Sequence, residues 1–194
     1  LVVRLMAENP LLQVDLTFTD GIVDIVASGI DVALRVATLQ ASELVAVRLV
    51  DNPRVLCAAP SYLAAHGCPE RLVDLDGHAC LTLHAMDAWP FQQAGQSTAK
   101  RIKGRLAASS VDTVLAACVA GAGIALLTYW DVAQELANST LTAVTLSDAE
   151  PEQLAIWAVL PTREHMPARV RQFIHALKIE LTMPMSALRA AGAE

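Results

Sequence analysis

Hydrophobic and polar positions change their spacing repeatedly along the chain, which predicts strands alternating with helices. Residues 14–18 alternate between apolar and polar side chains, as a half-buried strand does. Apolar residues then recur at helical spacing over 22–26, and Gly29 follows where a helix commonly ends. Residues 31–36 return to a strand pattern. This order predicts a β-α-β unit, and such units form parallel sheets.

The alternation continues along the rest of the chain. Its strongest helical signal is an apolar stripe that starts at Val111, with Ser109 or Ser110 able to cap the helix. A polar hairpin or loop is predicted around Gly95, and a loose tail over 183–194. The other predicted strands are 45–50, 54–58, 81–83, 102–106, 124–127 and 154–160, and the predicted helices are 1–8, 60–66, 111–119, 129–137 and 167–181.

The composition supports a folded protein and argues against direct binding of nucleic acid. Hydrophobic residues make up 54% of the 194-residue chain and mean hydropathy is +0.43, whereas disordered chains combine low hydropathy with high net charge. The net charge is −6, and the 14 Lys and Arg are scattered, most densely over 100–105. DNA binding requires a concentrated basic surface, so this chain is a poor candidate for direct contact.

The cysteines and one long apolar run bear on the compartment in which the protein works. The four cysteines form no C-x-x-C pair, and a chain of this length does not need disulfides, so reduced thiols and a cytosolic location are expected. Residues 113–130 carry no charge, which approaches the length of a membrane span. Because this run contains Gly121 and Gly123, a helix followed by a buried strand explains it better.

Catalytic and metal-binding motifs are weak in this sequence. Gly121-Ala122-Gly123 follows a helix and precedes a strand, the reverse of a dinucleotide-binding loop, and no G-x-S-x-G, Walker A or H-E-x-x-H motif occurs. Two H-x-C pairs, at 66–68 and 78–80, could supply zinc ligands, but structural zinc sites favour wider gaps within each pair. We therefore predict no catalytic residue, no metal and no cofactor.

Polar residues that follow the predicted strands are the candidate ligand contacts. In open α/β sheets a ligand lies beyond the carboxyl ends of the strands, where helix N-termini present unpaired N–H groups. Several such helix starts favour an anionic ligand. The residues selected in this way are Thr19, Thr38, Pro60, Ser61, Ser109, Ser110, Thr128 and Tyr129, with Arg35 as a partner for a carboxylate.

Helix capping and solvation are the alternatives for these residues. Ser and Thr are ordinary N-caps, and capping is the more frequent role for any one of them. Asp20 is interpreted as a cap, since its charge would repel an anion. For Arg35, a solvated position at the end of a strand is an equally good interpretation.

Several segments, taken in order, resemble the effector-binding domain of LysR-type transcriptional regulators. Each motif is weak alone, and their order and spacing over residues 1–181 make the resemblance specific. The matching segments are 20–26, Gly-Ile-Asp-Val-Ala-Leu-Arg at 29–35, 44–49, 54–63, 72–78, 120–127 and 158–163.

The resemblance implies an α/β fold of the periplasmic-binding-protein-like type II class, with two Rossmann-like lobes joined by two crossover strands. Lobe I would be discontinuous, formed by 1–52 and 162–194, and lobe II would be 53–161. In this family the ligand lies in the cleft between the lobes. An N-terminal winged helix-turn-helix and the first strand of lobe I, which the family has, are expected to be missing from this chain.

The resemblance also implies a function. The chain would be an effector-binding and dimerisation domain that binds a small anionic metabolite and thereby controls DNA binding and transcription. The expected assembly is a homodimer, and a tetramer in the full-length protein. DNA would be contacted only through the missing N-terminal domain. Contact with the transcription machinery is left open, and no membrane partner is expected. The expected location is the cytoplasm.

Two other functional classes compete with this interpretation. A solute-binding receptor of a transport system shares the fold, and an upstream signal peptide would support it, although the free cysteines count against it. An enzyme on the same scaffold would need a nucleophile and a base, and no histidine occurs at the predicted ligand contacts. The sequence therefore favours a regulator without catalytic activity.

Overall fold

The computed structural model describes residues 2–19, 23–38, 45–84, 86–161 and 166–191. The chain divides into two compact units, Leu1–Asp51 with Ala155–Glu194, and Asn52–Leu154. It passes between the units at 51–52 and again at 154–155. Each unit is described by itself.

Helices and strands alternate through the described residues. The helices are α1 (Val2–Glu8), α2 (Pro60–His66), α3 (Val111–Val119), α4 (Tyr129–Ala137) and α5 (Ala168–Ala191), with a 3-10 helix at Leu72–Gly77. The strands are β1 (Ala33–Ala37), β2 (Val45–Asp51), β3 (Arg54–Ala58), β4 (Cys80–Leu83), β5 (Ala88–Gln93), β6 (Gln96–Arg101), β7 (Gly104–Ala108), β8 (Ile124–Thr128), β9 (Thr142–Ala143), β10 (Glu150–Pro151) and β11 (Ala155–Leu160).

The first unit is built on a sheet in the order β1-β11-β2, in which β11 is antiparallel to both neighbours. Ala158, at the centre of β11, is completely buried. Helix α5 packs against β2, and its side chains Val170, Ile174 and Leu177 recur every three or four residues and are buried. One apolar stripe therefore accounts for the docking of this helix.

The predicted β-α-β unit at the start of the chain is not what the structure contains. Residues 12–19 form no strand, and Phe18 is 90% exposed. A strand needs a partner for its backbone N–H and C=O groups, and these residues have no ladder partner among the described part of the chain. The predicted helix over 22–26 is replaced by a turn at 25–29, with residues 20–22 outside the described ranges.

Gly29 nevertheless ends this turn as a helix-terminal glycine would. Its φ is +65°, its amide bonds the Val26 carbonyl at 3.2 Å, and the Ile30 amide bonds the Ile25 carbonyl at 3.0 Å. This pair of bonds is the Schellman arrangement, which requires a left-handed residue. Gly29 thus has the conformation of a helix-terminal glycine, although a turn and not a helix precedes it.

The second unit contains a five-stranded sheet in the order β7-β4-β8-β3-β9. β7, β4 and β8 are parallel, whereas β3 is antiparallel to both β8 and β9. The buried core lies around β3, β8 and helices α3 and α4, and Trp89 and Phe91 of β5 extend it. β5 and β6 form the predicted hairpin, whose turn uses positive φ at Ala94 and Gly95.

Three boundaries differ from those expected. β7 begins at Gly104 rather than at 102, and α5 continues to Ala191 through the segment predicted to be a loose tail. β11 lies in the sheet of the first unit, since it pairs on both edges with β1 and β2, whereas the expected lobe boundary placed it in lobe II. In the described residues, no helix is both long and apolar enough to cross a membrane.

Candidate functional site

The parallel strands bring two predicted ligand-binding segments to one edge of the second unit. Ser109 and Ser110 follow β7, while Thr128 ends β8 and Tyr129 comes directly after it. β4 lies between these strands, and neighbouring strands are about 4.8 Å apart, so the two segments are roughly 10 Å apart. We call this edge, formed by His84, residues 109–110 and residues 128–129, the carboxyl edge.

Pro60 and Ser61 do not belong to the carboxyl edge. They follow β3, which runs antiparallel to β8 and pairs its last residue, Ala58, with Ile124 at the start of β8. Both residues therefore lie at the opposite, amino end of the parallel strands. They follow a strand as predicted, but the direction of that strand, which the sequence does not show, puts them at the edge opposite Thr128.

Thr128 acts as a helix cap in this structure. Its hydroxyl donates to Asp131 Oδ2 at 2.7 Å and accepts a hydrogen bond from Asn52 Nδ2 at 3.1 Å. The Thr128 amide donates to the same Asp131 carboxylate at 3.0 Å, and the Asp131 amide bonds the Thr128 hydroxyl oxygen, which completes a capping box. A hydroxyl has one donor and two acceptor sites, and all three are used. Capping therefore accounts for this residue.

Asn52 also satisfies backbone and side-chain groups at the start of α4. It is 1% exposed, and its Oδ1 accepts the Trp130 amide at 3.1 Å, while the Pro53 carbonyl accepts the Tyr129 amide at 2.8 Å. The amides at the start of α4 thus all have protein acceptors. An anion at this helix start would have to displace these bonds, and sequence analysis missed Asn52 because it lies 76 residues before Thr128.

The start of α3 is different. Ser110 is its N-cap residue, yet within the described part of the chain no side-chain hydrogen bond caps this helix. Ser109 is exposed and Ser110 is half-buried. The first N–H groups of a helix have no partner within the helix, so α3 presents donors beside two hydroxyl groups. Asp112 in its first turn is exposed.

His84 is a further polar residue at the carboxyl edge. It follows β4, its amide bonds the Ala108 carbonyl at 2.9 Å, and its Nε2 lies 3.0 Å from the Ala107 carbonyl. A carbonyl only accepts, so Nε2 carries the proton of this bond and Nδ1 remains available. Because β4 ends next to β7, the imidazole lies beside the end of β7. Sequence reasoning missed His84, since nothing in the sequence shows that β4 lies between β7 and β8.

An ion pair also lies at this edge. Arg54 begins β3 opposite Thr128, and its Nη1 is 2.9 Å from Glu152 Oε2, with side chains 13% and 26% exposed. The pair neutralises a positive charge that would otherwise attract an anion here. No sequence signal connects two residues that are 98 positions apart.

The predicted contacts of the first unit lie on or after its strands. Arg35 of β1 is half-buried, and its Nη2 donates to the Val23 carbonyl at 3.0 Å, so it is not the freely solvated arginine of the alternative interpretation. Thr38 follows β1 and is exposed. Thr19 is exposed too, and Asp20 lies outside the described residues.

The two H-x-C pairs do not assemble into a metal site. Cys80 is buried, and burial raises the pKa of its thiol to about 11, which opposes the thiolate that zinc requires. His66 stacks on Tyr62, with ring centroids 4.3 Å apart. The described ranges hold no group of three or more His, Cys, Asp or Glu residues arranged to bind a metal ion.

Comparison with known proteins identifies the family. The model of the LysR substrate binding domain matches residues 1–182. The chain belongs to this family. It is 32% identical over 173 residues to the HTH-type transcriptional regulator DmlR of Escherichia coli, and the match covers 87% of the chain and 56% of that protein. The LysR domain described here therefore spans little more than half the length of that relative.

Solved structures agree with the family assignment. The regulatory domain of CrgA, a LysR-type transcriptional regulator from Neisseria meningitidis, has a TM-score of 0.78 and 27% identity over 93% of this chain and 89% of that chain. Full-length AphB, a virulence activator of Vibrio cholerae, has a TM-score of 0.78 and 26% identity, covering 91% and 61%. The predicted class, α/β and periplasmic-binding-protein-like type II, is confirmed, as is the LysR effector-binding domain. The matches favour a transcriptional regulator over a transport receptor.

Proposed function

We propose that this LysR domain binds a small anionic effector at the carboxyl edge of its second unit and controls transcription through a DNA-binding region outside these residues. One observation carries the proposal: among the residues that the structure describes, no side chain caps the start of α3, which lies beside Ser109 and Ser110. Helix N-termini attract anions because unpaired N–H groups and the helix dipole act together.

The contrast with α4 supports the choice of α3. At α4 the acceptors are internal, supplied by Asn52, Pro53 and Asp131. An anion there would meet the Asp131 carboxylate and would have to displace existing bonds. At α3 it would gain N–H donors and two hydroxyl groups, with the ring of His84 near the end of the adjacent strand.

The residues of the first unit remain proposed contacts. Arg35 would pair with a carboxylate through the guanidinium nitrogens not used by the Val23 carbonyl, and Thr19 and Thr38 would contribute hydroxyl groups. We also propose Tyr129 as a contact, although it is 7% exposed. We do not retain Pro60 and Ser61, because they lie at the other end of the sheet.

The effector proposal is tested by a thermal-shift screen of the full 194-residue chain against acetate, succinate, malate, benzoate and their uncharged amides. A bound acid at about 100 times its Kd stabilises the fold by about 2.7 kcal/mol. Ser110→Ala is expected to weaken binding of that acid about tenfold, the value of one hydrogen bond to a charged group. Ser97→Ala, an exposed serine on β6, is the matched control and should bind normally. Equal affinity in both variants would refute a site at α3.

We further propose that the domain acts without catalysis, as a homodimer in the cytoplasm, and as a tetramer in the full-length protein. The relatives are transcriptional regulators, and exposed apolar side chains on α1, Val3 at 82% and Met6 at 43%, supply surface for self-association. Binding would shift the population between two arrangements of the dimer, which moves the DNA-binding regions. Light scattering tests this: Val3→Glu should shift the chain toward the monomer, and Glu8→Gln, an exposed control on α1, should not.

A further inference from the structure

A second depression lies at the amino ends of the parallel strands, away from the carboxyl edge. It has a volume of about 280 Å³ and lies beside Leu81 near the start of β4 and Ala122 just before β8. The carboxyl edge lies at the other end of the same strands, so the two places are separate. Its lining residues are Tyr62, His66, Leu81, Arg105, Leu106, Gly121 and Ala122.

Arg105 reaches this depression because of an irregularity in β7. β4 pairs Cys80 with Gly104 and then Leu81 with Leu106, so Arg105 is the extra residue of a β-bulge. A bulge changes the direction of side chains, and bulges often adjoin binding sites. Without it, neighbouring residues of a strand would point to opposite faces. Here Arg105 and Leu106 line the same depression.

Gly104, next to the bulge, leaves room for the Thr82 side chain. A Cβ at this position would lie 2.7 Å from Thr82 Oγ1, closer than atoms of these types approach. The Thr82 side chain, which is 6% exposed, occupies that space instead. A larger residue immediately before Arg105 would therefore have to displace the Thr82 side chain.

The aromatic side of the depression is held by a defined set of hydrogen bonds. Tyr62 is 3% exposed, and its hydroxyl accepts the Ala79 amide at 2.9 Å. Its proton is then free to bond His78 Nδ1, 3.2 Å away, which makes His78 neutral with its proton on Nε2. Burial lowers the pKa of His78, in agreement. His66 donates from Nδ1 to the Tyr62 carbonyl at 3.0 Å, so its Nε2 is available.

Arg105 supplies the net charge. Within the described part of the chain it makes no ion pair, whereas Lys100 is paired with Asp76 at 2.7 Å and Arg71 with Asp74 at 3.9 Å. Burial raises the pKa of the Tyr62 hydroxyl, and the nearby guanidinium of Arg105 opposes that rise. The charge of Arg105 therefore acts at the aromatic wall of the depression.

The end of α3 also faces the depression, yet it does not repel an anion strongly. The last carbonyls of a helix are partly negative. Here the Gly121 amide bonds the Cys118 carbonyl and the Ala122 amide bonds the Ala117 carbonyl, both at 3.0 Å. This Schellman arrangement, with φ +78° at Gly121, satisfies the Ala117 and Cys118 carbonyls and so lessens the repulsion of an anion.

We propose that this depression is a second binding site, for a small aromatic carboxylate. Arg105 pairs with the carboxylate, and the ring packs against Leu81 and Leu106 with the His66 imidazole at its side. A cavity of this size lies at the lower end of the range for ligand sites, which fits a molecule of roughly ten non-hydrogen atoms. The proposal does not depend on the effector site at the carboxyl edge.

The test is a titration of the ¹⁵N-labelled full chain with benzoate, followed by amide chemical shifts. We expect saturable shifts at Arg105, Gly121 and Ala122 with a Kd on the order of 1 mM, the affinity accessible to so small a ligand. Benzyl alcohol, which lacks the charge, and acetate, which lacks the ring, should each bind at least about tenfold more weakly.

Two variants make the test specific. Arg105→Gln should weaken benzoate binding about tenfold or more, and Ala122→Leu, at an exposed position, should block it by filling the space. Arg101→Gln removes the same charge from an exposed position on β6 and should bind as the unmodified chain does. The amide spectra of all three report whether they fold. Unchanged affinity in Arg105→Gln, shifts confined to 109–110 and 128–129, or no saturation up to about 10 mM would overturn the proposal.

Discussion

Helices α3 and α4 begin at the same edge of one sheet, each directly after a parallel strand. Their first turns differ in whether side chains of the protein cap them. α4 is closed by the capping box of Thr128 and Asp131 and by the buried Asn52. α3 begins at Ser110 without a side-chain cap in the described residues. Two helix starts that each follow a parallel strand thus differ: the first amides of α4 are satisfied within the protein, whereas the start of α3 is the one that we propose as the ligand site.

This contrast shows that a capping residue removes hydrogen-bond donors that a ligand could otherwise use. Internal acceptors stabilise a helix by satisfying its first N–H groups, and the same acceptors remove those donors from any ligand. A helix start that binds an anion must therefore leave its donors without a partner when the ligand is absent. The following variants test whether α3 and α4 differ in this way.

Asn52→Ala should have the largest effect. We expect the free energy of unfolding to fall by about 2–4 kcal/mol, because the Trp130 amide and the Thr128 hydroxyl each lose a buried partner. Urea denaturation measures this. Asn138→Ala, at the exposed end of the same helix, should change stability by less than about 0.5 kcal/mol. If both variants are equally stable, Asn52 does not hold the start of α4.

Thr128→Val should have an intermediate effect on stability and no effect on the affinity for the effector. The variant keeps the shape of the side chain but loses the capping hydroxyl, which is worth about 1–2 kcal/mol. Thermal unfolding measures the loss, and the affinity for the acid found in the screen is measured alongside it. A weakened affinity at unchanged stability would place the ligand at α4 and reverse the comparison.

Ser110→Asp should have the smallest effect on stability, and in the opposite direction. A carboxylate at the N-cap of α3 can accept the first N–H groups and adds to the negative charge of Asp112 in the first turn, which stabilises the helix by about 0.3–1 kcal/mol. The same charge should abolish stabilisation by an acidic ligand. Ser97→Asp adds an equal charge on β6 and should leave ligand binding intact. Normal binding by Ser110→Asp would contradict an anion site at α3.

Local signals in the sequence were sufficient for many elements of the second unit. The predicted helices at 111–119 and 129–137 and the strand at 54–58 have the observed bounds, because each has a clear apolar stripe and a polar or glycine residue at its end. The same signals placed Ser110 and Thr128 at helix starts. They could not show that Asn52 also satisfies groups at the start of α4, since it reaches Thr128 from 76 residues away.

Periodicity by itself determined most helices and strands of the second unit, since that information is repeated every two to four residues. Its ordered motifs also identified the family. Only the tertiary structure decided that β3 runs against β8, which moves Pro60 and Ser61 to the far edge, and that residues 12–19 have no strand partner among the described residues. Strand direction and pairing depend on hydrogen bonds between distant segments, and no local pattern of side chains encodes them.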